Sequence, residues 1–320
     1  MQPLGVIRPE PPYAFDTLLA FLGCFRHPAL DIVHQGCYWR VIEQGEALAL
    51  LRTTWEGLAA KVGEVDPENI LSDLEHILGA RADRAAFFRM ARSDDRLWSV
   101  VESLYGLPEL RAPSIFEALM RTIIEQQIAW VSAQRAQRWL VIWAGRSITY
   151  DGRVFYAFPS PDQIAGARLE DLKPLKITHG RIERMIGIAT EVATGRLDLE
   201  GIQSVPPEVA YKTLLEIKGI GHWTAAVTLR RALGYNHQLP HNDVALQAAA
   251  NHYFFHQEGR ATSQTVMDIF MRMEIWLEKR RPTHFPVGFW IGMDEADQTG
   301  FLKPVWSQVK AARCFLIPIR

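Results

Sequence analysis

The chain has 320 residues, 48% of them hydrophobic and 22% charged, which is more length than a single core usually holds and predicts two domains of ordinary globular composition. A net charge of −1 excludes a protein that grips polyanions through bulk positive charge, so any nucleic-acid contact has to come from a local basic face or from backbone amides. There is no apolar run of about 18 residues and no basic start followed by an apolar stretch, so a cytoplasmic location without membrane association is expected.

In chain order, residues 17–25 form an apolar run. Residues 29–42 have the aromatic and β-branched content of strands, with Gly36 at a turn or bulge. Residues 47–54 are a strand candidate, although the stretch ALALLR fits a helix equally well. A helix over 67–78 would start at Asp66 or Pro67 and end at Gly79. These elements predict a small N-terminal α/β domain with an antiparallel sheet over residues 1–92.

From about Asp94 the pattern is helix after helix. Ile115, Leu119, Ile123, Ile124, Ile128 and Val131 keep helical spacing within 114–143. Ser160 opens another helix, with Asp162 in its first turn. Further helices are predicted over 180–194, 206–217, 223–233, 243–254 and 263–280. Residues 93–320 should therefore be almost all α, which makes the fold class α+β. Cys24, Cys37 and Cys314 are too few and too scattered for an iron–sulfur cluster or a zinc pattern, and read as reduced thiols. His237, His241 and His252 are irregularly spaced and joined by no ligand set.

The most informative segment is LLEIKGIGHWTAAVTLRRALGYNHQLPHND, residues 214–243. Leu214, Leu215 and Ile217 close one helix, Gly219-Ile220-Gly221 makes a tight turn, and a second helix follows. Two glycines one residue apart allow positive φ and a close backbone approach. The first amides of the following helix then point outward as anion donors, for which a phosphate is the natural ligand. Taken alone, GIG is also explained as a packing joint between two helices.

The longer string, with GIGHWTA followed about 20 residues later by LPHND, resembles the helix-hairpin-helix DNA glycosylases, and within them the 3-methyladenine DNA glycosylase II branch. The stretches GLPELRAPSIFEALMRTIIEQQIAWVSA and FPSPDQIAGARLEDLKPLKITHGRIERMIGIA extend the likeness over about residues 94–255. The resemblance implies a monofunctional enzyme of base excision repair that flips a damaged base out of duplex DNA and hydrolyses its N-glycosidic bond, with alkylated purines as substrates. Asp243, the only carboxylate between Glu216 and Glu258, takes the catalytic position; a helix cap is the alternative role for it. Trp223 stands where bifunctional relatives carry a Schiff-base lysine. That implies base removal without strand cleavage, and a wall that stacks on a cationic base; a core aromatic is the alternative.

Gln126 and Gln127 fall where the family places the wedge that fills the vacated stack, Gln127 being the better plug; surface glutamines are the alternative. Gly219, Gly221 and Thr224 would hold phosphate. Carbonyls of Leu215, Ile217 and Ile220 would hold a monovalent cation, Na+ or K+, while no other cofactor is required. Val227 and Val244 replace pocket tyrosines of the branch, so Trp130, Phe289 or Trp290 would have to complete the pocket. Arg121, Lys176, Arg181, Arg230 and Arg231 are candidates for electrostatic support, or else solvated surface. The expected partner is duplex DNA containing damaged bases, bound by a monomer. A non-catalytic DNA-gripping module and an 8-oxoguanine-type glycosylase/lyase remain the competing readings, and FPVGFWIGMDEADQTGF in the C-terminal stretch departs from the branch pattern.

Overall fold

In the computed structural model the described residues are 2–25, 27–44, 47–54, 57–62, 67–236 and 238–278. Phe289, Trp290, His237, Cys314 and the stretch 281–320 lie outside them. Strand β1 (Gln2–Gly5) leads into helix α1 (Phe15–Gly23), then strands β2 (Ile32–His34), β3 (Cys37–Gln44), β4 (Ala47–Thr54) and β5 (Gly57–Val62). Helices α2 (Pro67–Ile77), α3 (Ala85–Ala91) and α4 (Asp95–Val101) follow. The strands make one antiparallel sheet in the order β1-β5-β4-β3-β2.

The turn at Gly36 is a two-residue hairpin loop. Gln35 and Gly36 have φ of 51° and 69°, the double positive φ that matches the twist of the flanking strands. ALALLR is strand β4, because its neighbours on both sides supply a full ladder that a helix there would forfeit.

Both faces of this sheet are covered, which explains why its strands alternate so weakly in polarity. Tyr38 and Ile42 of β3 and Ala49 and Leu51 of β4 share one face and pack on Phe15, Leu18 and Leu22 of α1 and Ile70, Leu74 and Ile77 of α2. Trp39, Val41 and Leu50 share the other face and meet Phe155 and Ala157. Phe155 comes from a hairpin inside the otherwise helical part, β6 (Ser147–Tyr150) and β7 (Arg153–Tyr156), so the expectation of an almost purely helical second half needs this correction. Its turn, Asp151-Gly152, has φ of 48° and 70°, again the hairpin geometry.

The helical core begins with α5 (Ile115–Glu125) and α6 (Trp130–Ala144). After the β6–β7 hairpin it continues through α7 (Pro161–Ala165), α8 (Leu169–Leu172), α9 (His179–Ala193), α10 (Pro207–Glu216), α11 (His222–Leu233), α12 (Val244–Phe255) and α13 (Ser263–Glu278). Helix α5 is its axis, with every residue from Ile115 to Glu125 buried except Arg121. Ser114 caps it by accepting the Glu117 amide, and the Glu200 carboxylate accepts the Ile115 and Phe116 amides, each at 3.0 Å. Helices α3 and α4 precede this core but share one apolar cluster with α12 and α13.

Sheet and core are joined by buried charge. Arg40, on the helix-covered face of β3 and 1% exposed, donates to Glu117 of α5 at 2.5 Å and to Asp31 at 3.1 Å. Arg121 donates to Glu117 at 3.0 Å, and the Tyr38 hydroxyl to Asp31 at 2.7 Å. Burial pushes the Asp31 carboxyl up, but Arg40 and Arg121 outweigh it and hold the group below its usual value.

Candidate functional site

Helices α10 and α11 form the hairpin. Helix α10 stops at Glu216, and Gly219 takes a φ of +84°, which an L side chain adopts only with strain. Ile220, 5% exposed, joins the core cluster between the two helices. Gly219 and Gly221 are exposed. The first intrahelical amide bond of α11 is Ala225 N–H to the Gly221 carbonyl, at 3.0 Å. The amides of His222, Trp223 and Thr224 are therefore free of intrahelical acceptors at the positive end of the helix dipole. This is a ready anion seat.

The Thr224 hydroxyl does not belong to that seat. The residue is 3% exposed and its Oγ1 accepts from Gln126 Nε2 at 2.8 Å, which leaves the amide as its contribution. Arg184 of α9 donates to Gln126 Oε1 at 3.3 Å, and its guanidinium lies across Gly219, where a Cβ would come within 2.1 Å of Nε. Arg184, Gln126 and Thr224 thus brace α9, the α5–α6 loop and the hairpin together. Gln126 is the internal brace of that loop, while Gln127 is exposed with φ +51°.

Asp243 is the N-cap of α12 and 7% exposed. Its Oδ1 accepts the amides of Ala245 and Leu246 at 2.8 and 2.9 Å, and its Oδ2 accepts the indole N–H of Trp223. The candidate acid is therefore also the helix cap, and both of its oxygens are held by donors. Trp223, half-buried in the first turn of α11, is anchored by its edge to this carboxylate rather than lying loose in the core. Its neighbour His222 links the Tyr211 hydroxyl of α10 to the Leu239 carbonyl, at 2.7 and 2.8 Å. The His241 ring stacks on His222 with centroids 4.9 Å apart, and burial first and the neighbouring His222 imidazole second hold the His241 imidazole below its usual value.

Three of the basic candidates are engaged by carboxylates. Arg121 pairs with Glu117, Arg230 with Glu109 at 3.0 Å and Arg231 with Glu125, which charge counting along the chain cannot reveal. Arg181 is 8% exposed, and burial first and Arg184 second push its guanidinium below its usual value. Lys176 is exposed. Of the two valines at the branch's tyrosine positions, Val227 is fully buried and Val244 is 40% exposed, and Trp130, proposed to complete the pocket, packs edge-on against Phe25.

Sequence reasoning passed over Arg184, although its place three residues after Arg181 puts both on one helical face. It also passed over Tyr211 and His222, for which no signal preceded the structure. Of the carbonyls proposed for a cation, those of Leu215 and Ile217 lie at the end of α10, where the last C=O groups lack intrahelical donors, and that of Ile220 lies in the hairpin turn; the Ile217 carbonyl accepts the Ile220 amide at 3.0 Å. Among the described residues no group of three or more His, Cys, Asp or Glu is arranged around a metal ion, and no helix is long and apolar enough to cross a membrane.

The site thus joins a glycine hairpin with exposed amides to a buried, helix-capping carboxylate, an arrangement suited to binding an anion. Residues 120–273, just under half of the chain, match the family described as HhH-GPD superfamily base excision DNA repair protein. The chain is 35% identical over 164 residues to a DNA-3-methyladenine glycosylase of Bacillus subtilis, a match covering 51% of this chain and 54% of that protein, so it spans about half the length of that relative. A 3-methyladenine DNA-glycosylase from Archaeoglobus fulgidus has the same fold, with a TM-score of 0.75 at 23% identity over 93% of this chain and 99% of the other. The fold is shared too by an 8-oxoguanine glycosylase/lyase from Clostridium acetobutylicum, with a TM-score of 0.66 at 18% identity over 90% and 93% of the two chains.

Proposed function

We propose that the protein is a monofunctional DNA glycosylase of base excision repair that flips alkylated purines of the 3-methyladenine type out of duplex DNA and removes them by hydrolysis. The observation that carries this reading is the Asp243 carboxylate, buried and tied through Trp223 to the first turn of the hairpin helix. The hairpin amides, with Arg184 beside them, hold a backbone phosphate. Gln127 enters the gap left by the everted nucleotide, while Gln126 keeps its loop on the hairpin. When the C1′–N bond breaks, its electron pair leaves with the cationic base, which departs neutral. The Asp243 carboxylate offsets the positive charge that develops on the sugar. Water then adds to C1′ and gives up a proton, which leaves an abasic strand.

Position 223 offers an indole N–H engaged with Asp243 and no amine, which supports hydrolysis without a Schiff base and an uncut strand. A sodium or potassium ion on the carbonyls of Leu215, Ile217 and Ile220 would add positive charge next to the phosphate seat. The protein is expected to work as a monomer on chromosomal DNA in the cytoplasm.

The test is base release from duplexes carrying methylated, deaminated and oxidised bases, with borohydride present in a parallel series. Alkylated purines are expected to lead, with intact strands and no trapped adduct. Release confined to oxidised guanine, or a trapped covalent complex, would overturn the assignment, and DNA binding without any release would leave only a gripping module.

A further inference from the structure

We propose that His222 is a positioning residue that locks the loop carrying Asp243 to the first turn of α11, so that phosphate seat and carboxylate move as one body. The proposal rests on the reading of Asp243 as the carboxylate that acts at the sugar. The Leu239 carbonyl only accepts, so His222 Nε2 donates to it, while Nδ1 pairs with the Tyr211 hydroxyl. His222 thereby pins the residue that opens the loop, and Trp223, next in sequence, pins the residue that closes it.

Between the two pins the loop is compact. The amides of His241 and Asp243 donate to the carbonyls of Leu239 and Pro240, both at 2.8 Å, and Gln247 Nε2 donates to the His241 carbonyl at 3.1 Å. The His241 ring covers one face of His222. Five residues with no regular structure of their own are thus gripped at both ends by consecutive residues of one helix.

That helix presents the amides that would seat the phosphate, so docking the DNA backbone also sets the height of the carboxylate over the sugar. Reaction geometry is sensitive to this, since a displacement of about 1 Å can cost on the order of 100-fold in rate. Packing of the hairpin does not require the device, because Ile220 already fills the space between α10 and α11.

The experiment compares His222→Phe, which keeps a ring for the stack but loses both hydrogen bonds, with His222→Gln, which keeps a donor for Leu239. The readouts are single-turnover base release from methylated duplex DNA, Kd for a duplex with an abasic analogue, and Tm. His222→Phe is expected to slow release about 10-fold, the worth of one good hydrogen bond, with Kd changed less than about twofold. His222→Gln should recover most of the rate. In an Asp243→Asn background, His222→Phe should change the residual rate by less than about twofold, because it acts through that carboxylate. An unchanged rate for His222→Phe, a Gln variant as slow as Phe, or defects that multiply with Asp243→Asn would each overturn the clamp. Full release by Asp243→Asn alone would instead overturn the catalytic reading beneath it, a pattern distinct from any clamp failure.

Discussion

Asp243 caps a helix and faces the hairpin with the same carboxylate, and substitutions separate the two roles. Asparagine keeps the cap, since its carbonyl oxygen accepts the Ala245 and Leu246 amides as Oδ1 does now. Its amide N–H2 then confronts the Trp223 indole N–H, so the variant exchanges one hydrogen bond for two opposed donors, at a cost of about 1–2 kcal/mol. Alanine removes the cap, about 1 kcal/mol, and leaves the half-buried indole to find water. At about 2–4 °C per kcal/mol for a sizeable domain, both variants should melt within roughly 8 °C of the parent and stay folded at 25 °C. Neither has a negative charge to set against the developing sugar cation, and removing an electrostatic group of that kind costs about 100- to 1000-fold in rate. Thermal melts and single-turnover release of methylated purines are the paired assays. If Asp243 is only a cap, Asn releases base at close to the parental rate and Ala is the poorer of the two. An Asp243→Asn protein within about threefold of the parent would refute the catalytic role.

Three further outcomes are expected. Arg40→Met leaves Glu117, which is 3% exposed, with Arg121 as its remaining partner, and should cost about 3 kcal/mol in urea unfolding; adding Glu117→Leu should regain part of that, and a single variant as stable as the parent would remove the buried pair from any structural role. Arg184→Gln should weaken DNA binding for every sequence and make the slope of log K against log salt shallower by about one phosphate contact, whereas an unchanged slope would place that guanidinium off the backbone. His76, held below 6.5 by burial and the Arg111 charge, and His241 both resist protonation in the folded state. The unfolded chain takes up those protons first, so stability should be complete above about pH 6.5 and fall as the pH drops below it. His76→Gln should flatten that dependence in pH-resolved melts, and an unaltered slope would count against the assignment.

The amino-acid sequence alone located most of the longer helices, the glycine hairpin and the candidate acid, because each is written in local terms: helical spacing, Ser160 at a helix start, a Gly-x-Gly turn, and Asp243 before a helix; it ran α5 and α6 together over 114–143 and passed over the short helices α3, α4 and α8. The Asp151-Gly152 hairpin was equally local, lying inside the stretch SITYDGRVFY, and was simply passed over. The residues 47–54 were undecidable locally, because a strand covered on both faces loses the alternation that would identify it, and only pairing with β3 and β5 resolved them. The site divides the same way. Only the folded chain showed that Gln126 braces Thr224, that Arg121, Arg230 and Arg231 are occupied by carboxylates, and that His222 and Trp223 hold the two ends of one loop. Apart from Arg121 with Glu117, one helical turn away, those contacts join residues 17 to 121 positions apart, and side-chain chemistry at one position carries no record of which distant group it will meet.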